Sequence, residues 1–230
     1  MTVKLYLESI EAAYARTFDA QVVAIDGNSI VLDRTLFYPL GGGQHWDTGV
    51  LSGPNGDINV QEVRGRGDVQ HTVETEHQLV VGDEVRGTVD WDTRYAHMRM
   101  HTAQHLMSGI AYELFNGVRT VGNQIHAEKS RIDFNPISFD EAMMERLVDV
   151  VNGHINTGLK VSDSVMTREE INTIMPPDRT NMNLLPASVR DLRVVQIGDQ
   201  VDLCPCAGTH VSNTSELGRV ELIGKKSKGK

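Results

Sequence analysis

Two pairs of potential metal ligands are the most chemically informative residues of this chain. His101 and His105 are four residues apart, and so are Cys206 and His210. Side chains with this spacing share one face of an α-helix, with Cβ atoms roughly 5–6 Å apart, so the histidine pair can chelate one ion. Three imidazoles and a thiolate form a nitrogen and sulfur ligand set that suits Zn²⁺. We therefore predict one zinc ion per chain at these four residues.

Either pair alone would be weak evidence, and several alternatives stay open at this point. The four residues could form a purely structural zinc site, and Cys204 could replace Cys206 as the sulfur ligand. Four protein ligands usually close a zinc site. A catalytic ion would therefore have to expand its coordination, release one ligand, or orient the substrate without activating water.

Several common motifs are missing from the sequence. There is no H-E-x-x-H, which excludes the usual arrangement of zinc proteases, and no zinc deaminase pattern. Phosphate-binding and dinucleotide-binding glycine motifs are also missing. Nothing in the sequence therefore indicates the use of ATP or of a dinucleotide.

A long helix is predicted to carry the first ligand pair. Asp92 can cap its start, about 24 residues without proline follow, and Asn116-Gly117 can end it. The second pair lies in a loop that contains proline and glycine, between the strand-like runs LRVVQI and GRVELI. A second helix is predicted from the capping-box spacing at 138–141, and a third, shorter helix near 168–175.

Residues 20–90 are typical of β structure. AQVVAI and SIVLD are separated by Asp26-Gly27-Asn28, which predicts a hairpin, and INVQEV and EVRGTVD follow after glycine-rich turns. Short strands with such turns predict a small barrel or sandwich. We expect an α+β protein with a β domain at residues 1–90 and an α+β domain at 91–230.

Composition limits the class of protein. The chain has 40% hydrophobic and 23% charged residues, as globular proteins do, and a net charge of −9 that counts against a general nucleic-acid binder. Arg94 and Arg99 are candidates for phosphate contacts or, equally, solvated helix charges. No apolar run approaches the roughly 20 residues that cross a bilayer, and the N-terminus lacks a signal peptide pattern. We therefore expect a cytoplasmic protein that does not bind membranes.

Three motifs together resemble a known family. HTAQH at 101–105 and CAGTHV at 206–211 resemble the two zinc motifs of the alanyl-tRNA synthetase editing domain, and FYPLGGGQHWDTG at 37–49 resembles its glycine-rich motif. They occur in the family's order. Because the chain has no aminoacylation domain, it resembles the free-standing AlaX editing proteins of medium size. One departure is Ala207, where the second motif often has glycine.

The resemblance implies both a fold and a function. The fold would be a small, translation-factor-like β barrel at the N-terminus, followed by an α+β zinc-containing editing domain. The activity would be zinc-dependent hydrolysis of Ser-tRNA(Ala), with Gly-tRNA(Ala) as a second substrate. The partner would be the acceptor end of mischarged tRNA(Ala), and we expect the protein to be a monomer.

Polar side chains near the motifs are candidates for recognising the substrate. A pocket that pairs the serine hydroxyl discriminates against alanine, because its polar groups would otherwise stay unpaired. Glycines allow the backbone to approach a substrate closely. The candidate substrate-binding residues are Thr120, Gln124, Thr209, Gly41, Gly42, Gly43 and Gln44.

Two other functions remain open from the sequence. The chain could be a non-catalytic zinc-stabilised module that binds tRNA or a nucleotide, or a zinc hydrolase that acts on a small ester without RNA. His45, His97 and His126 are not assigned to the metal. Trp46 and Trp91 are expected to pack rather than to stack on bases.

Overall fold

The structure, a computed structural model, describes residues 1–74, 76–176, 179, 182 and 189–226. Its elements are β1 (Val3–Lys4), β2 (Thr17–Asp26), β3 (Ser29–Leu32), β4 (Arg34–Thr35), β5 (Gly49–Gly53), β6 (Gly56–Arg64), β7 (Gln70–Val73), β8 (Glu84–Val89), α1 (Trp91–Leu114), β9 (Arg119–Gln124), β10 (Arg131–Asn135), α2 (Glu141–Thr157), β11 (Val161–Thr167), α3 (Arg168–Ile174), β12 (Asp191–Ile197) and β13 (Asp202–Pro205). Short 3₁₀ helices lie at Leu5–Leu7, Glu11–Tyr14 and Thr214–Leu217.

The chain forms two compact units. The first contains residues 1–98, 124–129 and 208–210, and the second contains 99–123, 130–207 and 211–230. The α+β class is confirmed by these elements. The division at residue 90 and the likeness of the barrel to a translation factor stay predictions.

A closed barrel of six strands forms the main part of the first unit, in the order β2-β3-β7-β6-β5-β8. Burial alternates along β2 and β8, as expected where one face of each strand packs inside a barrel. The predicted hairpin is confirmed, because Asp26 pairs with Ser29 and Gly27 has a φ of 57°. A barrel, not a sandwich, is therefore the correct alternative of the two predicted.

One buried ion pair ties together several segments of the first unit. Arg94 is fully buried and donates through Nε to Asp47 Oδ2 at 2.9 Å, and through its other nitrogens to the carbonyls of Ala13 and Leu36. The same carboxylate oxygen accepts from the Tyr38 amide at 2.6 Å. The expectation of a phosphate-binding or solvated Arg94 is thus wrong, because its charge is compensated inside the protein.

Helix α1 matches the predicted long helix. It begins at Trp91, because the Asp90 carboxylate accepts from the Thr93 amide and hydroxyl, at 3.4 and 2.8 Å. Asp90 therefore caps the helix in place of the predicted Asp92. Beyond its end, Asn116 and Gly117 have positive φ values of 59° and 85°, as predicted for a helix stop. Among the described residues, no helix is long and apolar enough to cross a bilayer.

The second unit contains an antiparallel sheet, β11-β12-β13, and the helices α2 and α3. The cap of α2 is Asp140, which accepts from the Met143 amide, and not the predicted Ser138. The predicted strand GRVELI is wrong, since residues 218–223 have no regular structure. The Val220 backbone instead exchanges two hydrogen bonds with the Asn152 side chain of α2, at 2.9 and 3.0 Å.

We predict that His71 makes the barrel sensitive to acid. This fully buried ring bonds to the Thr35 hydroxyl and the Ile30 carbonyl, and burial lowers its pKa from 6.5 to about 4. Below 6.5 the unfolded chain binds a proton that the folded chain does not. Stability present above pH 6.5 is therefore lost as the pH falls toward 4, by about 1 kcal/mol per pH unit.

Urea unfolding of the wild type and of His71→Gln between about pH 7.5 and about pH 5.5 measures this dependence. The free energy of unfolding should fall less steeply in the variant. Equal slopes for both proteins would show that His71 titrates normally in the folded state.

We also predict that Arg94→Met destabilises the protein by about 3–5 kcal/mol, because it leaves the buried Asp47 carboxylate without its counter-charge. Urea unfolding measures the loss. Arg86→Met, which removes an exposed arginine, is the matched control and should change stability by about 0.5 kcal/mol or less. Similar effects of both substitutions would contradict a special role of the buried pair.

Candidate metal centre

The structure brings the four predicted ligands together. The ligand atoms of His101, His105, Cys206 and His210 all lie within 4.8 Å of one another. The three histidines are buried, and the sulfur of Cys206 lies 3.6 Å from His101 Nε2. In a tetrahedral zinc site the bond lengths of 2.0–2.3 Å place neighbouring ligand atoms roughly 3.5 Å apart. This group could therefore hold a metal ion, and its donor atoms fit zinc.

Helix α1 presents the two histidines on one face. Their ring centroids are 5.2 Å apart, as expected for residues separated by one turn. Gly109 continues the helix and packs directly on the turn before β13. A Cβ atom on Gly109 would lie 2.1 Å from the Val201 carbonyl oxygen. Only glycine therefore permits this approach of the helix to the turn.

Strand β12 holds the backbone of Cys206. The Cys206 amide donates to the Arg193 carbonyl at 3.0 Å, and the Arg193 guanidinium donates to the Cys206 carbonyl at 2.8 Å. Arg193 is itself paired with Asp163 of β11, at 2.8 Å. Both polar groups of the cysteine backbone are thus fixed by one arginine.

A buried carboxylate contacts one ligand histidine. Asp202 Oδ2 lies 2.8 Å from His105 Nδ1, and both side chains are almost fully buried. Burial alone lowers the pKa of His105, but the charge of Cys206 and the hydrogen bonds that the imidazole donates to Asp202 and Cys206 outweigh it and raise this pKa to about 10. The surroundings of this imidazole therefore favour positive charge.

Cys204 is not a member of the group that could hold a metal ion. Burial, together with the neighbouring charges of Asp202 and Cys206, raises the pKa of its thiol well above the usual value. A protonated thiol is a poor metal ligand. The geometry favours Cys206 as the sulfur ligand.

The glycine-rich segment forms a tight turn. Gly41 and Gln44 exchange two backbone hydrogen bonds, and Gly42 and Gly43 have positive φ values of 56° and 85°. Two central residues with positive φ are typical of a type I′ turn, which explains the glycines without a substrate. Gly42 and Gly43 are exposed, while the hydroxyl of Tyr38 donates to the carbonyl of Gly41.

Gln44 and Thr209 bind each other reciprocally. The Gln44 amide nitrogen donates to the Thr209 hydroxyl at 2.9 Å, and the Thr209 backbone amide donates to Gln44 Oε1 at 3.1 Å. Both side chains are fully buried. Since Thr209 immediately precedes His210, this contact fixes the loop that presents a ligand.

Thr120 belongs to a network of hydrogen-bonded polar side chains that extends from helix α1. Its hydroxyl lies 2.6 Å from that of Ser108, which accepts a hydrogen bond from Gln104 at 2.8 Å. Asn123 donates to Gln104 in turn, at 3.3 Å. Gln104 directly precedes the ligand His105 in sequence, so these hydrogen bonds attach to the helix that carries two of the ligands. The remaining candidate, Gln124, is exposed.

The unassigned histidines lie outside the metal group. His45 stacks on Trp46 with centroids 3.7 Å apart, and His126 lies 5.1 Å from His45. His97 is buried, and burial lowers its pKa to about 4. Trp91 stacks on Tyr95, with centroids 5.4 Å apart.

Two residues near the ligands were missed from the sequence. Asp202 and Arg193 hold His105 and Cys206, yet neither belongs to a recognised motif. A signal did exist, because Asp202 lies between the apolar residues Val201 and Leu203 and begins the otherwise apolar strand β13. A charge at such a position usually has a buried partner.

Comparison with known proteins finds similarity to tRNA synthetases. Residues 4–93 match the family described as tRNA synthetases class II (A), and residues 192–230 match the threonyl and alanyl tRNA synthetase second additional domain. An alanine–tRNA ligase of Pyrobaculum calidifontis is 39% identical over 92% of this chain, which covers 24% of the ligase. These matches define a class of proteins that share regions with tRNA synthetases.

Shorter relatives are matched over nearly their whole length. The alanyl-tRNA editing protein AlaX-M of Saccharolobus solfataricus is 36% identical over 100% of this chain and 95% of its own length. The AlaX-M of Methanosarcina barkeri is 36% identical over 94% of this chain and 91% of its own length. The chain belongs to the AlaX-M family of alanyl-tRNA editing proteins.

We predict that Gln44 and Thr209 are energetically coupled. In a double-mutant cycle with Gln44→Ala and Thr209→Val, urea unfolding should give an interaction energy of about 0.5–3 kcal/mol, because either substitution removes the same buried hydrogen bond between the two side chains. Gln44→Ala combined with Thr173→Val, which changes an exposed residue of α3, serves as control and should be additive. Additive effects in both cycles would contradict the coupling.

Proposed function

We propose that this protein is a zinc-dependent hydrolase that removes serine, and also glycine, from mischarged tRNA(Ala) by cleaving the aminoacyl ester. The observation that carries the proposal is the convergence of His101, His105, Cys206 and His210 in a member of the AlaX-M family. The name of these relatives, alanyl-tRNA editing protein, supports the substrate class.

The residues of the site fit zinc as the resident metal. Three imidazoles and one thiolate exclude the oxygen-rich coordination that Ca²⁺ and Mg²⁺ prefer. A bound zinc ion would supply Lewis acidity at the ester or a fixed charge that orients the amino acid. We favour orientation, because four protein ligands already complete a tetrahedral site.

Thr120 is the residue that we propose for recognition of the serine hydroxyl. Its hydroxyl is half-buried and is positioned by Ser108, which Gln104 fixes from the ligand helix. A hydroxyl with a fixed direction can add a hydrogen bond to the hydroxyl of serine, which alanine does not have. Gln124, which is exposed, stays a further candidate for substrate contact.

Gln44 and Thr209 are assigned a different part in this proposal. Because the two side chains are fully buried and bind each other, they position His210 rather than contact the amino acid. The backbone of Gly42 and Gly43 is proposed to contact the substrate, because their turn is exposed. Gly41, half-buried at the start of the turn, is held by Tyr38.

The proposal extends to the partner and to the organisation of the chain. We propose that a monomer in the cytoplasm binds the acceptor end of tRNA(Ala). The six-stranded barrel would correspond to a translation-factor-like domain at 1–90 and the remainder to an editing domain at 91–230. With a net charge of −9, tRNA affinity should be modest and should fall as salt concentration rises.

The test is a deacylation assay with Ser-, Gly- and Ala-tRNA(Ala), with and without a chelator. We expect release of serine and glycine, little release of alanine, and loss of activity on chelation that zinc restores. Thr120→Val should reduce kcat/KM for Ser-tRNA(Ala) by about 10–100-fold, because it removes one hydroxyl contact. Thr173→Val, an exposed threonine on α3, is the matched control and should not change the rate.

Other outcomes separate the alternatives. Binding of tRNA without release of any amino acid would identify a non-catalytic binding module. Equal rates on a minimal aminoacyl ester and on tRNA would identify a hydrolase of small esters. Circular dichroism can show whether the Cys206→Ala variant is folded. Global unfolding of this variant would favour a structural metal over a catalytic one.

A further inference from the structure

We propose that Asp202 is a positioning residue for the metal, which fixes the tautomer and the ring direction of His105 so that Nε2 is the ligand atom. The inference rests on the proposed function, because it requires that the four-residue group binds zinc. Asp202 would touch neither substrate nor metal and would act through the histidine alone.

The hydrogen bond between Asp202 and His105 is short and is shielded from solvent. Asp202 Oδ2 lies 2.8 Å from His105 Nδ1, with 7% and 6% of the respective side chains exposed. Water therefore competes little with this hydrogen bond. A charge-assisted bond between buried groups is stronger than one between neutral groups.

The backbone of Asp202 is also fixed. Asp202 is the first residue of β13 and pairs with Ile197 at the end of β12. The carboxylate thus projects from a sheet instead of a mobile loop. Gly109, one turn beyond His105 on α1, allows the helix to approach Val201, which precedes Asp202. Both partners are therefore held by the regular structure around them.

The direction of the hydrogen bond decides which nitrogen can bind a metal. An ionised carboxylate only accepts, so His105 Nδ1 must carry the proton and donate it. A neutral imidazole then has its free electron pair on Nε2. Carboxylate partners of this kind orient metal-binding histidines and increase their basicity.

Charge balance supports the same assignment. Metal-binding histidines must be neutral imidazoles, so a bound ion replaces the proton that the surroundings of His105 otherwise favour. The Cys206 thiolate and the Asp202 carboxylate then contribute two negative charges to the site. One divalent cation compensates both charges, whereas buried charges without a partner are costly. A carboxylate next to the ligand set therefore favours a divalent metal.

The test measures zinc affinity by competition with a chelator in full-length Asp202→Ala and Asp202→Asn. We expect affinity to fall by about 10–100-fold in Asp202→Ala. The loss should be smaller in Asp202→Asn, since its amide oxygen still accepts from Nδ1–H. Asp199→Asn, which removes an exposed charge from the turn before β13, is the matched control and should leave affinity unchanged.

A second measurement remains informative if Asp202→Ala does not fold. Long-range ¹H–¹⁵N spectra of the zinc-loaded wild type report which nitrogen of His105 carries the proton. A proton on Nδ1 with Nε2 bound to metal supports the proposal, and the reverse assignment overturns it. The cobalt-substituted Asp202→Asn protein should also show shifted ligand-field bands, which a purely structural role would not produce.

Failure of this inference differs from failure of the proposed function. A wild type that does not bind zinc would reject the metal centre itself. A wild type that binds zinc, together with a folded Asp202→Ala of affinity within twofold of it, would reject the role of Asp202 alone.

Discussion

The convergence of three buried imidazoles and one half-buried thiol is the constraint on which the rest of this structure depends. Such groups lose their hydration when buried, and an ion that all four share is one way to recover that loss. Because the two pairs are about a hundred residues apart in sequence, no local preference can bring them together. The fold must do so, through α1 on one side and β12 and β13 on the other.

The parts of the fold that depend on local chemistry could be predicted from the sequence. The helix stop at Asn116-Gly117 and the hairpin at Gly27 reflect conformations that few residues adopt, so their sequence signals are strong. The ligand spacings belong to the same group, because four residues place two side chains on one helix face. Errors of one or two residues at helix starts arose where several polar residues could serve as caps, as at Asp90 and Asp92.

Long-range partnership is what the sequence could not reveal. An arginine on a helix is usually solvated, and only the fold shows that Arg94 meets Asp47, which is distant in sequence. Gln44 was similarly expected to face the substrate, yet its amide is used inside the protein by Thr209. Residues 218–223 have the composition of a strand, but Asn152 occupies the backbone groups of Val220 that a neighbouring strand would need.

The close approach at Gly109 has a consequence for how such sites are recognised in other sequences. Helix and turn meet there without room for even a methyl group, since an added Cβ would lie 2.1 Å from a carbonyl oxygen. A homologue could therefore keep every ligand residue and still, with a bulkier residue at this one position, hold them too far apart to chelate. A search that reads only histidines and cysteines would count that homologue as metal-binding, and inspecting this glycine would correct the error.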